Sequence, residues 1–181
     1  MTLRDVLAPI DELMRRHGIR YAVIGGYAVA AWGEVRATRD IDLLCGAGDL
    51  SALTSALREA GTEFEHRVGD IDDPISDVIR IRTGTRSAPY ELDFLAGIRG
   101  SPPGLLERAR EVILDDLAIP VASPEDMILL KLLGGSARDL DDARGIIRHQ
   151  SGSLELALVR RLCPQSLSLT CETLLKAGST G

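Results

Sequence analysis

The sequence predicts an α+β fold in which a mixed sheet flanked by helices is followed by a C-terminal helical region. Three observations support this class. Apolar runs of strand length alternate with segments of helical periodicity up to residue 121. Two alternating segments, 78–82 and 90–95, flank turn residues and predict a hairpin. Beyond residue 121, apolar residues recur at helical spacing only. We therefore expect an α/β domain over residues 1–121 and a helical region over residues 122–181.

The elements of the first region follow from periodicity and from the glycine residues that interrupt it. In chain order, they are a helix over 3–17, a strand over 21–24, a helix over 27–32, a strand over 40–45, a helix that starts near Asp49 or Ser51 and ends at Ala60, strands over 64–68, 78–82 and 90–95, a short helix over 105–110 and a strand pair within 112–121. Gly18 is a favourable C′ residue for the first helix.

The helical region begins with Ser123-Pro124-Glu125-Asp126. This run has the residues that helix starts favour, with serine as cap, proline at the first helical position and acids in the first turn. Gly134 and Gly135 end this helix. Further helices are expected over 139–149, 154–162 and 166–176.

The composition is that of a soluble globular protein. The 181 residues are 45% hydrophobic and 27% charged, with a net charge of −6 that gives no overall footprint for nucleic acid. There is no signal peptide and no apolar stretch long enough to cross a bilayer, so we expect a cytoplasmic protein with no membrane partner. Three cysteines, an odd number without metal-ligand spacing, indicate buried apolar residues in a reducing compartment.

Two carboxylates on one predicted strand are the most informative feature. Asp40 and Asp42 point to the same face, because side chains alternate along a strand. Like charges resist burial beside Ile41 and Leu43, and a bound cation removes that penalty. Mg²⁺ is the expected ion because it prefers hard oxygen ligands, and Mn²⁺ is its alternative.

A third carboxylate tests this interpretation. Asp93 lies in the apolar run 90–95, and it joins Asp40 and Asp42 on one face if the two strands are neighbours. Three acids of this kind hold two divalent ions about 3.5–4 Å apart for an in-line displacement. On an edge strand, Asp93 would simply face water. Gly25 and Gly26 let backbone N–H groups approach a phosphate at the start of the next helix.

At this point the chain resembles a known family. Gly25-Gly26, Asp40-x-Asp42 and a later strand acid are typical of the DNA polymerase β-like nucleotidyltransferase fold, and the run from Ile24 to Gly33 with 36–42 resembles the AbiEii-type nucleotidyltransferases. Many of those are toxins of toxin–antitoxin and phage-defence systems. The helical half matches through the Ser123 run, Lys131 and Arg138-Asp139-x-x-Asp142. The resemblance covers roughly residues 20–147.

The resemblance implies a role for each matched position. Metal ligands and catalytic acids are Asp40, Asp42 and Asp93; substrate-binding residues are Gly25, Gly26, Thr38, Arg39, Lys131, Asp139 and Asp142. Lys131 would contact phosphate, although a lysine covering the core is an alternative. Arg39 would neutralise phosphate or merely balance the acids, and Asp139 and Asp142 would face the cleft or form surface pairs. The superfamily often has serine at Gly26, so this chain offers only backbone there.

The first hypothesis is a metal-dependent nucleotidyltransferase that moves a nucleoside monophosphate from a nucleoside triphosphate to a hydroxyl. The acceptor would be a tRNA 3′ end or a protein side chain, with a small molecule such as an aminoglycoside as a further option. An antitoxin-like partner would regulate it. The alternative is a catalytically inactive module of the same fold that binds nucleotide or protein. A phosphohydrolase would usually show His-Asp pairs, which this sequence lacks.

Overall fold

The computed structural model describes residues 2–33, 38, 40–85 and 88–178, and the structural statements below concern these residues. The helices, in chain order, are α1 (Leu3–Arg16), α2 (Gly25–Trp32), α3 (Leu50–Glu59), α4 (Pro124–Gly134), α5 (Ala137–His149), α6 (Leu156–Leu162) and α7 (Ser168–Gly178). The strands are β1 (Tyr21–Ile24), β2 (Asp40–Cys45), β3 (Glu65–Val68), β4 (Ile75–Thr85), β5 (Ala88–Ile98), β6 (Arg110–Leu114) and β7 (Leu117–Val121).

The seven strands form one mixed sheet in the order β3-β4-β5-β2-β1-β7-β6. The pairs β2/β5 and β1/β7 are parallel, and the other neighbours are antiparallel. The predicted α+β class is therefore confirmed. Strand β5 is internal, with β2 on one side and β4 on the other, so Asp93 does not lie at an edge.

The core is one apolar cluster to which both halves of the chain contribute, from Leu7 of α1 and Ile41 of β2 to Ile146 of α5. Helix α2 packs on β1 and β2 and also contacts α4 and α5, so it connects the sheet to the helical half. The indole N–H of Trp32, at its end, donates to the carbonyl of Ala122 (2.7 Å). The division of the chain at residue 121 stays a prediction.

The start of α4 is fixed by buried acids. Ser123 caps the helix by accepting from the Asp126 N–H. Asp126 is fully buried and accepts two hydrogen bonds from the Arg108 guanidinium, at 3.0 and 2.6 Å. Glu125 is also buried and pairs with Arg110 at 3.1 Å. These side chains therefore attach the helical half to the loop and strand that precede it.

Several boundaries differ from the sequence-based expectation by a few residues, and three of these differences have a local cause. Helix α2 begins at Gly25 rather than at residue 27, directly where β1 ends. Strands β4 and β5 extend further than predicted at both ends, because their cross-strand pairing runs from Ile75↔Ile98 to Thr85↔Ala88. The predicted helix over 105–110 is only a 3₁₀ turn over Leu106–Arg108, because β6 already begins at Arg110.

Two expectations concern the chain as a whole. None of the helices within the described ranges combines the length and apolar character that crossing a membrane requires. The three cysteines are free, and burial raises the pKa of the Cys45 thiol to about 12. This buried thiol is therefore protonated near neutral pH.

Candidate active site

The register between β2 and β5 brings the predicted acids together. Asp42 lies directly beside Asp93, and Asp40 lies beside Glu91. Paired residues of neighbouring strands share a face and lie about 4.8 Å apart. Ile41, which alternates with the two β2 acids, is fully buried on the other face. The four carboxylates therefore lie on one face of the sheet.

Asp93 is held by an arginine on the next strand. Arg80 faces Asp93 across β4 and β5, and its guanidinium donates to both carboxylate oxygens, at 2.8 Å to Oδ1 and 2.6 Å to Oδ2. These hydrogen bonds raise the pKa of the Arg80 guanidinium above its ordinary value. Only 14% of the Asp93 side chain is exposed. The alternative that Asp93 merely faces water on an edge strand is wrong.

The Arg80–Asp93 pair is the inner end of a row of alternating charges. Arg80 also lies 3.6 Å from Glu91, which accepts a 3.1 Å hydrogen bond from Arg82. Arg82 in turn pairs with Glu65 on β3. The row spans three strands on the face that carries Asp42, so the position of Arg80 is fixed from both sides.

The glycine turn stands against the Asp42 carboxylate. Gly25 has φ +62°, and a Cβ at this position would lie 1.9 Å from Asp42 Oδ2. A Cβ on Gly26 would lie 2.9 Å from Thr38. No side chain fits at either position without displacing a neighbour, which explains why serine is absent from the turn. The backbone at the start of α2, from Gly25 onwards, therefore lies directly against the Asp42 carboxylate.

Thr38 lies beside this turn. Its carbonyl accepts from the Tyr27 hydroxyl (3.3 Å), and its own hydroxyl donates to the Asp40 carbonyl (3.3 Å). Thr38 therefore orients the chain that leads into β2. Arg39, the other residue predicted from this loop, lies outside the described residues.

Lys131 is the cation of a small cluster in the helical half. Its ammonium lies 2.9 Å from Asp139 Oδ1 and 2.9 Å from Asp142 Oδ2. Ser136, which caps α5, also donates its hydroxyl to Asp139 (2.6 Å). Desolvation opposes ionisation of Asp139, but the hydrogen bonds from Ser136 and Lys131 outweigh it and lower its pKa. The structure thus brings together the three helical residues that the resemblance singled out.

Two cavities meet at Asp42. The polar cleft, about 330 Å³, is lined by Asp42, Asp93, Glu65, Arg67, Arg80, Ile75, Val78 and Leu95. The apolar cleft, about 370 Å³, lies between the sheet and α4; it includes Gly25, Asp42, Leu95, Met127, Leu130, Lys131 and Asp139. Asp42, Ile75 and Leu95 line both. The glycine turn, Lys131 and Asp139 therefore lie on the side of Asp42 that faces the apolar cleft. Asp93, Arg67 and Arg80 lie on the side that faces the polar cleft.

The acids of β2 have the donor chemistry that the expected divalent ion requires. Asp40 and Asp42 offer hard oxygen donors on one face, next to the close-lying backbone of Gly25, and this chemistry fits Mg²⁺. Asp93 directs both oxygens to Arg80. Within the described ranges, no group of three or more His, Cys, Asp or Glu side chains is arranged to hold a metal ion. The role of Asp93 as third ligand stays a prediction.

Sequence reasoning missed Arg80, which lines the polar cleft, and Arg82, which follows it on the same face of β4. Val78, Arg80 and Arg82 alternate with the buried Ile79 and Ile81. This alternation was visible in the sequence and placed Arg80 and Arg82 on one face. What it did not reveal was which acid each arginine would meet, since that depends on the register of the hairpin.

The mixed sheet with its flanking helices is a nucleotidyltransferase fold, and it carries acids on β2 and β5 next to a glycine turn. A model for the nucleotidyl transferase AbiEii toxin of type IV toxin–antitoxin systems matches residues 13–161. The chain belongs to this family and is a nucleotidyltransferase. The sequence resemblance to AbiEii-type proteins is confirmed.

Solved structures show the same fold. The antibiotic-resistance factor ANT(2'')-Ia is 15% identical, with a TM-score of 0.60, over 96% of this chain and 94% of that chain. An antigenic nucleotidyltransferase-like protein from Paracoccidioides brasiliensis is 20% identical, with a TM-score of 0.57, over 97% and 92%. No curated protein sequence matches the chain significantly.

Proposed function

We propose that this protein transfers a nucleoside monophosphate from a nucleoside triphosphate to a hydroxyl acceptor in a metal-dependent reaction. The observation that carries the proposal is the pairing of Asp42 with Asp93 at the junction of two clefts, with the backbone of Gly25 against Asp42. Asp42 and Asp93 carry like charges side by side at a cavity, and a bound cation would reduce their repulsion.

The apolar cleft is proposed as the nucleotide side. Its walls are mostly aliphatic, which suits a base and ribose, and Gly25 lies where the triphosphate would meet Asp42. Gly25 and Gly26 leave the backbone open to phosphate oxygens at the start of α2. Lys131 reaches the same cleft, and we propose that it contacts phosphate while Asp139 and Asp142 hold its ammonium in place.

Asp40 and Asp42 are the proposed metal ligands. A divalent cation bound to them would neutralise charge on the triphosphate and make its α-phosphorus more electrophilic. Thr38 holds the loop that precedes Asp40, and we propose that Arg39 neutralises phosphate from this loop. The contribution of these residues is orientation and charge compensation.

The polar cleft is proposed as the acceptor side. The acceptor oxygen would form a bond to the α-phosphorus while the bond from that phosphorus to the bridging oxygen of pyrophosphate breaks. Asp93 would take the hydroxyl proton, and pyrophosphate would leave with the bond's electron pair. A carboxylate has about four acceptor positions, so Asp93 still has capacity beyond the two Arg80 hydrogen bonds.

A tRNA 3′ end or a protein side chain is the proposed acceptor, and the toxin description of the family supports an antitoxin partner. A small-molecule acceptor is the alternative within the same reaction, since one structure of ANT(2'')-Ia holds adenylyl-2''-tobramycin. An inactive nucleotide-binding module is the other candidate function. The observation that favours it is that Arg80 already engages both oxygens of Asp93.

The test is label transfer. Purified protein is incubated with each α-³²P-labelled triphosphate, Mg²⁺ and either total tRNA, protein lysate or an aminoglycoside, with a chelator in a parallel reaction. The proposal predicts labelled acceptor and released pyrophosphate that both disappear with chelator. Tight nucleotide binding without transfer to any acceptor would support the inactive module instead.

A further inference from the structure

Arg80 is a charged residue of the polar cleft to which the proposed reaction assigns no role. It lies on the strand next to Asp93, at the residue that faces it, and both hydrogen bonds are short and charge-assisted. A planar guanidinium that binds a carboxylate in this way uses one acceptor position on each of its two oxygens, so these positions are closed to a metal ion. The contact is built into the strand register.

The neighbouring charges keep Arg80 in this place. Glu91 lies 3.6 Å from the guanidinium on its outer side. Arg82 and Glu65 belong to the same row of charges, but Arg82 pairs with Glu91 and Glu65 rather than with Asp93. A divalent ion between Asp42 and Asp93 would approach the guanidinium closely, and like charges in a partly buried site repel strongly.

We propose that the Arg80 guanidinium takes the place of a second divalent ion at Asp93, so that the site holds one divalent ion, on Asp40 and Asp42. Arg80 is a positioning residue: its two hydrogen bonds hold the Asp93 carboxylate beside Asp42. This inference rests on the proposed function, since it takes Asp40 and Asp42 as metal ligands. It departs from the sequence-based expectation that three carboxylates share two ions.

The experiment counts Mn²⁺ by electron paramagnetic resonance, with an equimolar mixture of the four α,β-methylene ribonucleoside triphosphates as the nucleotide probe. Two Mn²⁺ ions about 3.5–4 Å apart give an exchange-coupled signal, whereas a single ion gives a mononuclear one. The mixture without protein gives the background. The variants are Arg80→Gln, which removes the charge, and Arg80→Lys, which keeps it.

Arg82→Gln is the matched control, because Arg82 is on the same strand and face but pairs with Glu91 and Glu65. The proposal predicts one protein-bound Mn²⁺ and a mononuclear signal in the natural protein, Arg80→Lys and Arg82→Gln. Arg80→Gln should bind a second Mn²⁺ and show the coupled signal. Circular dichroism and thermal unfolding of each variant confirm that the counts refer to folded protein.

Two results would overturn this inference and leave the proposed function standing: a coupled pair in the natural protein, or a single Mn²⁺ in folded Arg80→Gln. Loss of the one-ion count in Arg82→Gln would also overturn it, since the effect would then not be specific to Asp93. No Mn²⁺ above background in the natural protein would overturn both this inference and the proposed metal dependence.

Discussion

Two arginine–carboxylate pairs in this molecule have nearly the same geometry and different surroundings. Arg80 donates two hydrogen bonds to Asp93, at 2.8 and 2.6 Å, and Arg108 donates two to Asp126, at 3.0 and 2.6 Å. Asp126 is fully buried and also accepts the Ser123 hydroxyl at 2.7 Å. Asp93 lies instead on the wall of the polar cleft, directly beside Asp42.

The difference separates an acid that stabilises the fold from an acid available for chemistry. Asp126 has its charge and hydrogen-bonding capacity used inside the protein, so it holds α4 in place. Asp93 keeps a like charge as its neighbour and a cavity in front of it. Bidentate geometry alone therefore does not indicate a site, whereas a second carboxylate beside the pair, at a cavity, does.

The largest expected effect is on catalysis. Asp42→Asn removes the charge between the two clefts with little change in volume, and we expect nucleotidyl transfer to fall on the order of 10²–10³-fold. Transfer of α-³²P label measures it. Asp77→Asn is the control, because Asp77 is on the opposite face of the sheet and pairs with His66 at 2.8 Å. Equal loss in both variants would contradict the assignment.

The second effect is on stability. Asp126→Asn leaves the Arg108 guanidinium without its ionised partner, and we expect the free energy of unfolding to fall by about 3 kcal/mol. Urea unfolding followed by circular dichroism measures it. Asp42→Asn should lose less stability than Asp126→Asn, because Asp42 lines two clefts whereas Asp126 is fully buried. If the two variants lose the same stability, the contrast between the regions disappears.

The third effect tests whether the glycine turn fixes the position of the Asp42 carboxylate. Gly25→Ala places a Cβ against Asp42 Oδ2 in a left-handed backbone conformation, at a cost of about 1–3 kcal/mol. We expect transfer to fall with it, because the carboxylate must move. Gly48→Ala is the control, since nothing lies within 4 Å of a Cβ there. Nucleotidyl transfer and urea unfolding are measured for both variants. Full activity of Gly25→Ala would show that transfer does not depend on the position of the Asp42 carboxylate.

The smallest effect concerns the Lys131 cluster. The pKa of folded Asp139 is lower than its ordinary value of 3.8. Its carboxylate therefore adds stability above that value, and this stability is lost as the pH falls through the folded-state pKa. Asp139→Asn should lose less stability between neutral pH and roughly pH 3 than the natural protein does. Asp141→Asn is the control for urea unfolding across this pH range, because Asp141 lies on the same helix but pairs with Arg144 rather than with Lys131.

Much of the fold was predictable because it depends on local patterns. The four-residue run 21–24 and the alternation around Asp40 and Asp42 specify strands, and Gly18 and Ser123 specify helix ends. The same-face placement of Asp40 and Asp42 needs only the period of a strand. That Asp93 lies next to Asp42 needed one further assumption, that β2 and β5 are neighbours, and the sheet order bears this out.

The rest depends on register and on distant partners. A slip of one residue in the β4–β5 pairing would turn Arg80 to the opposite face, and nothing local fixes that register. The buried role of Asp126 depends on Arg108, which lies 18 residues earlier in the chain. The resemblance marks the Ser123 run as a motif, but the structure was needed to show that its acids hold the fold together.

The most direct test of the proposed metal and triphosphate sites is a crystal structure with Mn²⁺ and a non-hydrolysable triphosphate, recorded at the manganese absorption edge. We expect an anomalous peak in contact with Asp40 and Asp42, and triphosphate oxygens against the backbone of Gly25 and Gly26. A triphosphate bound away from the glycine turn, with no manganese on Asp42, would contradict this expectation.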